Sequence, residues 1–67
     1  MAYENGTKVQ VLDPVWFSEI RKGFVAKQLD GNHFLVKLDE PFTKVNPGKD
    51  WLEVSRDFAH QVVTEIK

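Results

Sequence analysis

The sequence predicts an all-β fold of five short antiparallel strands in a single domain, residues 1–67. Two apolar-rich runs, residues 24–29 and 33–38, flank a tight-turn signal at residues 30–32, where aspartate, glycine and asparagine tolerate a positive φ. Other stretches alternate apolar and polar residues with the period of a strand, and none has the pattern of a long helix. Cysteine is absent, so this small core must depend on aromatic packing rather than disulfides.

The first strand is predicted at residues 7–12, with Val9 and Val11 on one face, and Asp13-Pro14 ends it. Residues 15–22 then form a connection that contains the adjacent rings of Trp16 and Phe17. Because neighbours on an extended chain point in opposite directions, we expect one ring in the core and the other outside. A one-turn helix at residues 16–20 is the competing interpretation. Glycine at position 23 permits a tight start to the second strand.

The next two strands form a hairpin whose register has two solutions. If Asp30-Gly31 forms the turn, Val25 pairs with Val36; if Gly31-Asn32 forms it, Val25 pairs with Leu38. The two registers differ by two residues, so the faces do not change. In both, one face carries Val25, Leu29, Phe34, Val36 and Leu38.

The remainder of the chain adds two shorter strands. Residues 39–50 form a loop anchored by Phe42 and Val45, and residues 51–55 alternate so that Leu52 and Val54 face one way and Trp51 the other. Residues 55–59 suit a single helical turn with a serine cap, and residues 60–66 suit a last strand.

Five strands in about sixty residues, with a long loop after the first, predict a small SH3-like barrel; an open OB-like barrel is the alternative. Phe24 is expected in the core with the residues of the alternating faces. Those residues are Val9, Val11, Val25, Phe34, Val36, Leu38, Leu52 and Val54.

Four stretches, residues 6–12, 16–20, 42–46 and 58–63, resemble the photosystem I reaction-centre subunit IV family, in that family's order. The resemblance implies an SH3-like barrel on the stromal or cytoplasmic face of an electron-transfer complex. Gln10 and Asp13 stand where the family commonly has basic residues, and Asp39 lies near the position of a family arginine. The chain therefore lacks basic residues that would attract an acidic electron carrier such as ferredoxin. The pattern also resembles Tudor, agenet and KOW-type modules, which carry a Trp-Phe pair after the first strand.

The predicted function is a non-enzymatic accessory module that docks on a larger protein complex, with an electron-transfer complex as the implied partner. The alternative is a Tudor- or KOW-like adaptor that binds a peptide tail or nucleic acid through loop aromatics. A net charge of −1 disfavours nucleic acid. The candidate binding residues are Trp16, Phe17, Phe42, Lys44 and Trp51. We expect residues 14–22 and 42–50 to lie at one end or side of the barrel, with Trp16 or Phe17 and Trp51 forming an exposed patch.

Catalysis and cofactor binding have little support in the sequence. His33 and His60 are expected to be structural or solvated, and nothing places Ser18 or Ser55 near either histidine. No phosphate loop or metal-ligand spacing is present, so neither catalytic nor metal residues nor a cofactor are assigned. Without an apolar run of membrane-spanning length or a signal-peptide pattern, the expected location is cytoplasmic, either free or peripheral on a membrane complex.

Overall fold

Five strands and one short helix make up the part of the chain that the computed structural model describes, residues 3–66. Met1, Ala2 and Lys67, which the predicted domain includes, lie outside the described residues. The elements are β1 Lys8–Leu12, β2 Ile20–Gln28, β3 His33–Leu38, β4 Trp51–Ser55, α1 Arg56–Val62 and β5 Val63–Glu65.

All five strands form one antiparallel sheet in the order β4-β3-β2-β1-β5. The first four strands follow one another as a meander, and the last strand returns beside the first. The predicted all-β, five-stranded antiparallel barrel-like fold is therefore confirmed, although the sheet is not closed. Helix α1 joins the edge strands β4 and β5 in sequence and contacts both of them.

The inner face of the sheet carries the hydrophobic core, and all eight alternating-face residues predicted for it are buried. Phe42, Ala59, Val62 and Val63 complete the buried cluster. The prediction that Phe24 belongs to the core was wrong, because its neighbour Val25 is buried and successive strand residues point to opposite faces. The Phe24 ring lies on the outer face of β2.

The β2–β3 hairpin turns within the predicted residues, but its three-residue loop matches neither of the two-residue turns that the sequence offered. Leu29 and His33 pair across a loop of residues 30–32, in which Gly31 has a φ of +61°. Val25 nevertheless lies opposite Val36, because the register shifts between Val25 and Lys27. An extra residue in one strand locally disrupts the ladder in this way. Leu29, predicted on the core face, is consequently only half-buried at the end of the hairpin.

Strand β2 begins at Ile20, three residues earlier than predicted, so the preceding connection is shorter than the sequence suggested. Gly23 therefore lies inside the strand rather than at its start. A Cβ at this position would lie 1.9 Å from the backbone oxygen of Lys37 on β3. Close approach between strands, and not a tight turn, explains the glycine.

Helix α1 extends to Val62, so the predicted single turn at residues 55–59 is longer and the last strand shorter than expected. Ser55 occupies the N-cap position, but its side chain makes no capping hydrogen bond. Val62 and Val63 are both buried although they are neighbours, because Val62 ends the helix and Val63 begins β5.

Candidate functional site

Residues 13–19 connect β1 to β2 and are called the aromatic loop here. Trp16 and Phe17 are 62% and 54% exposed, and Val15 beside them is also exposed. The prediction that one of the two rings would enter the core was wrong. It assumed an extended chain, whereas residues 14–16 form a turn and Phe17 has a left-handed φ of +56°. Few non-glycine residues adopt that conformation, and such positions cluster at functional sites.

Asp13 holds the aromatic loop in shape from inside the protein. Its fully buried carboxylate accepts hydrogen bonds from the backbone N–H groups of Val15 and Trp16, at 2.8 and 2.9 Å. The Ser18 hydroxyl donates to the other carboxylate oxygen at 3.4 Å. The Asp13 backbone closes the loop as well, because its N–H donates to Glu19 and its carbonyl accepts from Phe17. A polar group thus occupies the interior while the apolar side chains of the loop face solvent.

The electrostatics of Asp13 fit this structural role. Burial alone would raise the pKa of its carboxyl group. The hydrogen bonds from the Trp16 and Val15 backbone and from the Ser18 hydroxyl, with the positive charge of Lys44, outweigh that effect and lower the pKa below its ordinary value of 3.8. Asp13 is therefore ionised at neutral pH, in the form that accepts all three hydrogen bonds.

Glu19 fastens the aromatic loop to the β3–β4 loop, residues 39–50. Its carboxylate accepts from the backbone N–H of Thr43 at 3.0 Å and from the Thr43 hydroxyl at 2.9 Å. Arg21 pairs with the same carboxylate at 3.2 Å, and its Nε donates to the Pro41 carbonyl. The Thr43 hydrogen bonds, followed by the Arg21 charge, lower the pKa of Glu19. The two long loops therefore lie at the same end of the sheet, as predicted.

Of the two predicted site residues in the β3–β4 loop, one is buried and the other is exposed. Phe42 is buried, with the guanidinium of Arg21 5.6 Å from its ring centre. Its assignment as a binding residue was wrong, because the ring reaches inward and anchors the loop on the core. Lys44 is exposed, and its charge acts on the Asp13 carboxylate. Lys44 thus lies close enough to influence the base of the aromatic loop.

Trp51 is exposed on the outer face of β4, as the burial of Leu52 and Val54 requires. Its neighbour across the ladder is Lys37, whose ammonium pairs with Asp50 at 2.6 Å. The side-chain amide of Asn46 donates to the Trp51 carbonyl, which fixes the end of the β3–β4 loop. Among residues 3–66, ring–ring packing is found between Tyr3 and Phe34, and Trp51 makes none with Trp16 or Phe17.

Sequence reasoning missed two important residues. The pattern around Asp13 predicted only the end of a strand, although an aspartate followed by Pro14 commonly accepts hydrogen bonds from the next backbone N–H groups. Phe24 was assigned to the core, although the assignment of Val25 to the inner face already required Phe24 to face outward. The same alternation correctly predicted the exposure of Trp51, so the signal for Phe24 was present.

The two histidines both lie at the surface of the protein. The Nε2 atom of His33 lies 3.9 Å from a carboxylate oxygen of Glu53, and both side chains are about half exposed beside the hairpin turn. His60 is exposed on α1.

Within residues 3–66, no group of three or more histidine, cysteine or acidic side chains is placed to hold a metal ion. No helix in the same residues is long and apolar enough to cross a membrane.

Comparisons of this chain with protein-family models, with curated proteins and with solved structures found no match. The residues of the aromatic loop and their hydrogen bonds are therefore the basis for assigning a function.

Proposed function

We propose that this protein is a non-enzymatic binding module that docks on a larger protein complex through Trp16 and Phe17 of the aromatic loop. The observation that carries the proposal is the exposure of two adjacent rings, 62% and 54%, on a loop whose backbone is held by a buried carboxylate. Large aromatic rings are the commonest anchors of protein interfaces. A loop ordered before binding also loses less conformational entropy when a partner covers it.

The proposed partner is a membrane-associated electron-transfer complex, with the module bound on its cytoplasmic or stromal face. The ordered resemblance of four stretches to the photosystem I subunit IV family supports this partner. One departure from that family also has a structural explanation: Asp13 is the buried clamp of the aromatic loop, so a basic residue there would lose the three hydrogen bonds described above. Direct docking of an acidic electron carrier has less support, because Gln10, Asp13 and Asp39 stand at or near positions where the family commonly has basic residues.

A Tudor- or KOW-like adaptor is the second candidate, because the exposed Trp-Phe pair follows the first strand. Such a module would use the same rings to bind a peptide tail or a nucleic acid. The two candidates differ in the partner rather than in the residues that contact it. Partner identity therefore separates them, and the net charge of −1 favours a protein partner over nucleic acid.

The test is recovery of partners on a tagged copy of the protein in extracts of its source cells. The Trp16→Ala and Phe17→Ala variants should each weaken capture by about 2 kcal/mol, or roughly thirtyfold in Kd. Their thermal midpoints should be nearly unchanged, because exposed side chains contribute little to folding.

His60→Ala is the control, since it removes an exposed ring from α1, outside both the aromatic loop and the outer face of the sheet. It should retain the complex that Phe17→Ala loses. Equal recovery with all three variants would overturn the role of the aromatic loop. Recovery of nucleic acid or a free peptide tail, in place of an electron-transfer complex, would select the adaptor.

A further inference from the structure

The outer face of the sheet carries a row of side chains that the aromatic loop does not include. Trp51 on β4 lies opposite Lys37 on β3, Lys37 opposite Phe24 on β2, and Phe24 opposite Lys8 on β1. The backbone N–H of Ile66, the residue after β5, donates to the Lys8 carbonyl, so Ile66 lies opposite Lys8. These five residues, called the outer row, cross the whole sheet.

Apolar and cationic side chains alternate along the outer row. Trp51, Phe24 and Ile66 are 39%, 44% and 37% exposed, and each is separated from the next by a lysine. Neighbouring strands lie about 4.8 Å apart, so the apolar members recur about every 9.6 Å. Exposed large apolar side chains at a regular spacing, with cations between them, form a surface that a repeating ligand can match.

Charge on this face differs from charge on the whole chain. The outward positions of β1, β2 and β3 hold four lysines, Lys8, Lys22, Lys27 and Lys37, while Glu53 on β4 is the acidic side chain among the outward strand positions. The complete chain carries a net charge of −1. Asp50 pairs with Lys37 at 2.6 Å and compensates its charge, so the excess positive charge of this face lies on Lys8, Lys22 and Lys27. The face therefore complements a ligand that carries acidic groups at intervals.

A polyproline II segment has the period that the outer row requires. It rises about 3.1 Å per residue with three residues per turn, so every third side chain recurs at about 9.3 Å on one side. A β-strand presents same-side residues about every 6.7 Å and would lose register after one step. Nucleic acid fits less well, because Asp50 and Glu53 lie among the lysines and would repel a continuous line of phosphates.

We infer that the outer row binds an acidic, proline-rich segment of a partner protein in the polyproline II conformation. Apolar residues at every third position contact Trp51 and Phe24, and a carboxylate at an intervening position faces Lys8, which lies between Phe24 and Ile66. Flat aromatic surfaces accept such segments at low entropic cost, because the ligand is already extended. This site is separate from the aromatic loop and does not depend on the function proposed for it.

The test uses a synthetic peptide of three Leu-Pro-Glu repeats, titrated against the full chain by isothermal titration calorimetry, which does not depend on either tryptophan. Two control peptides accompany it: one of the same composition with the three-residue spacing of leucine broken, and one with each glutamate replaced by glutamine. We expect saturable binding of the first peptide and at least about tenfold weaker binding of both controls. Phe24→Ala and Trp51→Ala should each weaken binding of the peptide by about tenfold or more. Lys8→Gln should also weaken binding and should reduce the dependence of the peptide's Kd on salt concentration.

Trp16→Ala should leave peptide binding unchanged, whereas it should lose the partner of the aromatic loop. The two sites can thus fail independently. If Phe24→Ala lowers the thermal midpoint, Phe24→Leu replaces it, since leucine remains apolar but lacks the flat ring. Equal binding of the broken-spacing peptide, no saturable binding at millimolar concentration, or tighter binding of oligothymidylate through Phe24 and Trp51 would each overturn the inference.

Discussion

The hairpin turn at residues 30–32 and the aromatic loop at residues 13–19 both begin with an aspartate and both contain a residue with a positive φ. In the hairpin turn that residue is Gly31, which adopts the conformation at little cost. In the aromatic loop it is Phe17, for which the left-handed region is unfavourable by about 1–2 kcal/mol. The hairpin turn therefore follows the backbone preferences of its residues, whereas the aromatic loop adopts a backbone conformation that Phe17 disfavours.

The two connections also differ in what they bury. The hairpin turn leaves polar residues and a glycine in solvent, with buried Phe34 two residues further on. The aromatic loop reverses the usual distribution, because charged Asp13 is buried while Val15, Trp16 and Phe17 are exposed. The Asp13 hydrogen bonds stabilise the aromatic loop, but the exposed side chains of Val15, Trp16 and Phe17 contribute little to folding. Their exposure fits a surface that a partner covers.

The largest expected effect distinguishes a phenylalanine near the hairpin turn from one on the aromatic loop. Phe34→Ala should lower the free energy of unfolding by about 3–5 kcal/mol, because it removes a fully buried ring and leaves a cavity. A domain of this size has little more stability than that, so the variant should be largely unfolded. Phe17→Ala makes the same chemical change and should alter stability by less than about 0.5 kcal/mol. Urea titration followed by circular dichroism measures both, and similar values for the two variants would contradict the contrast.

The contrast also explains which parts of the molecule the sequence could predict. Strand alternation identified the buried positions of β1, β3 and β4, because period-two patterns need only local information. The hairpin turn followed from residues that tolerate positive φ. The bulge between Val25 and Lys27 and the close approach at Gly23 depend on the neighbouring strand, which local patterns do not contain. The aromatic loop was misjudged for a similar reason, since its shape depends on a buried carboxylate and on Thr43 from another loop.

A smaller effect is expected from the anchor of the aromatic loop. Asp13→Ala should lower the free energy of unfolding by about 1–3 kcal/mol, because it leaves the N–H groups of Val15 and Trp16 without their acceptor. Asp13→Asn is the matched control, since its amide oxygen can still accept from the backbone. The variant should retain more stability than Asp13→Ala. Amide hydrogen exchange at Val15 and Trp16 should accelerate in the alanine variant, and unchanged exchange would show that the loop does not need the carboxylate.

The same anchor should make the aromatic loop sensitive to acid. The pKa of Asp13 and the pKa of Glu19 lie below their ordinary values in the folded protein. Their contribution to stability is therefore complete above the ordinary carboxyl pKa and is lost as pH falls through the lower, folded-state pKa. Thermal midpoints measured from pH 6 to about pH 2 should decline below pH ~4, and less steeply in Asp13→Asn. Parallel declines in the two proteins would show that Asp13 is not coupled to folding.

The smallest effect concerns Gly31 of the hairpin turn and Phe17 of the aromatic loop, which both have a positive φ. At Gly31 an added Cβ meets no atom within 4 Å, so Gly31→Ala tests backbone conformation alone and should destabilise the protein by about 1 kcal/mol. Phe17→Gly and Phe17→Ala both remove the ring, but only the glycine variant relieves the left-handed backbone. Phe17→Gly should therefore be more stable than Phe17→Ala by about 0.5–1 kcal/mol, after allowing for the greater flexibility of glycine in the unfolded chain. Both should lose the partner of the aromatic loop equally. If Phe17→Gly is the less stable of the two, the loop conformation is not strained, and its hydrogen bonds alone account for the position of the Phe17 ring.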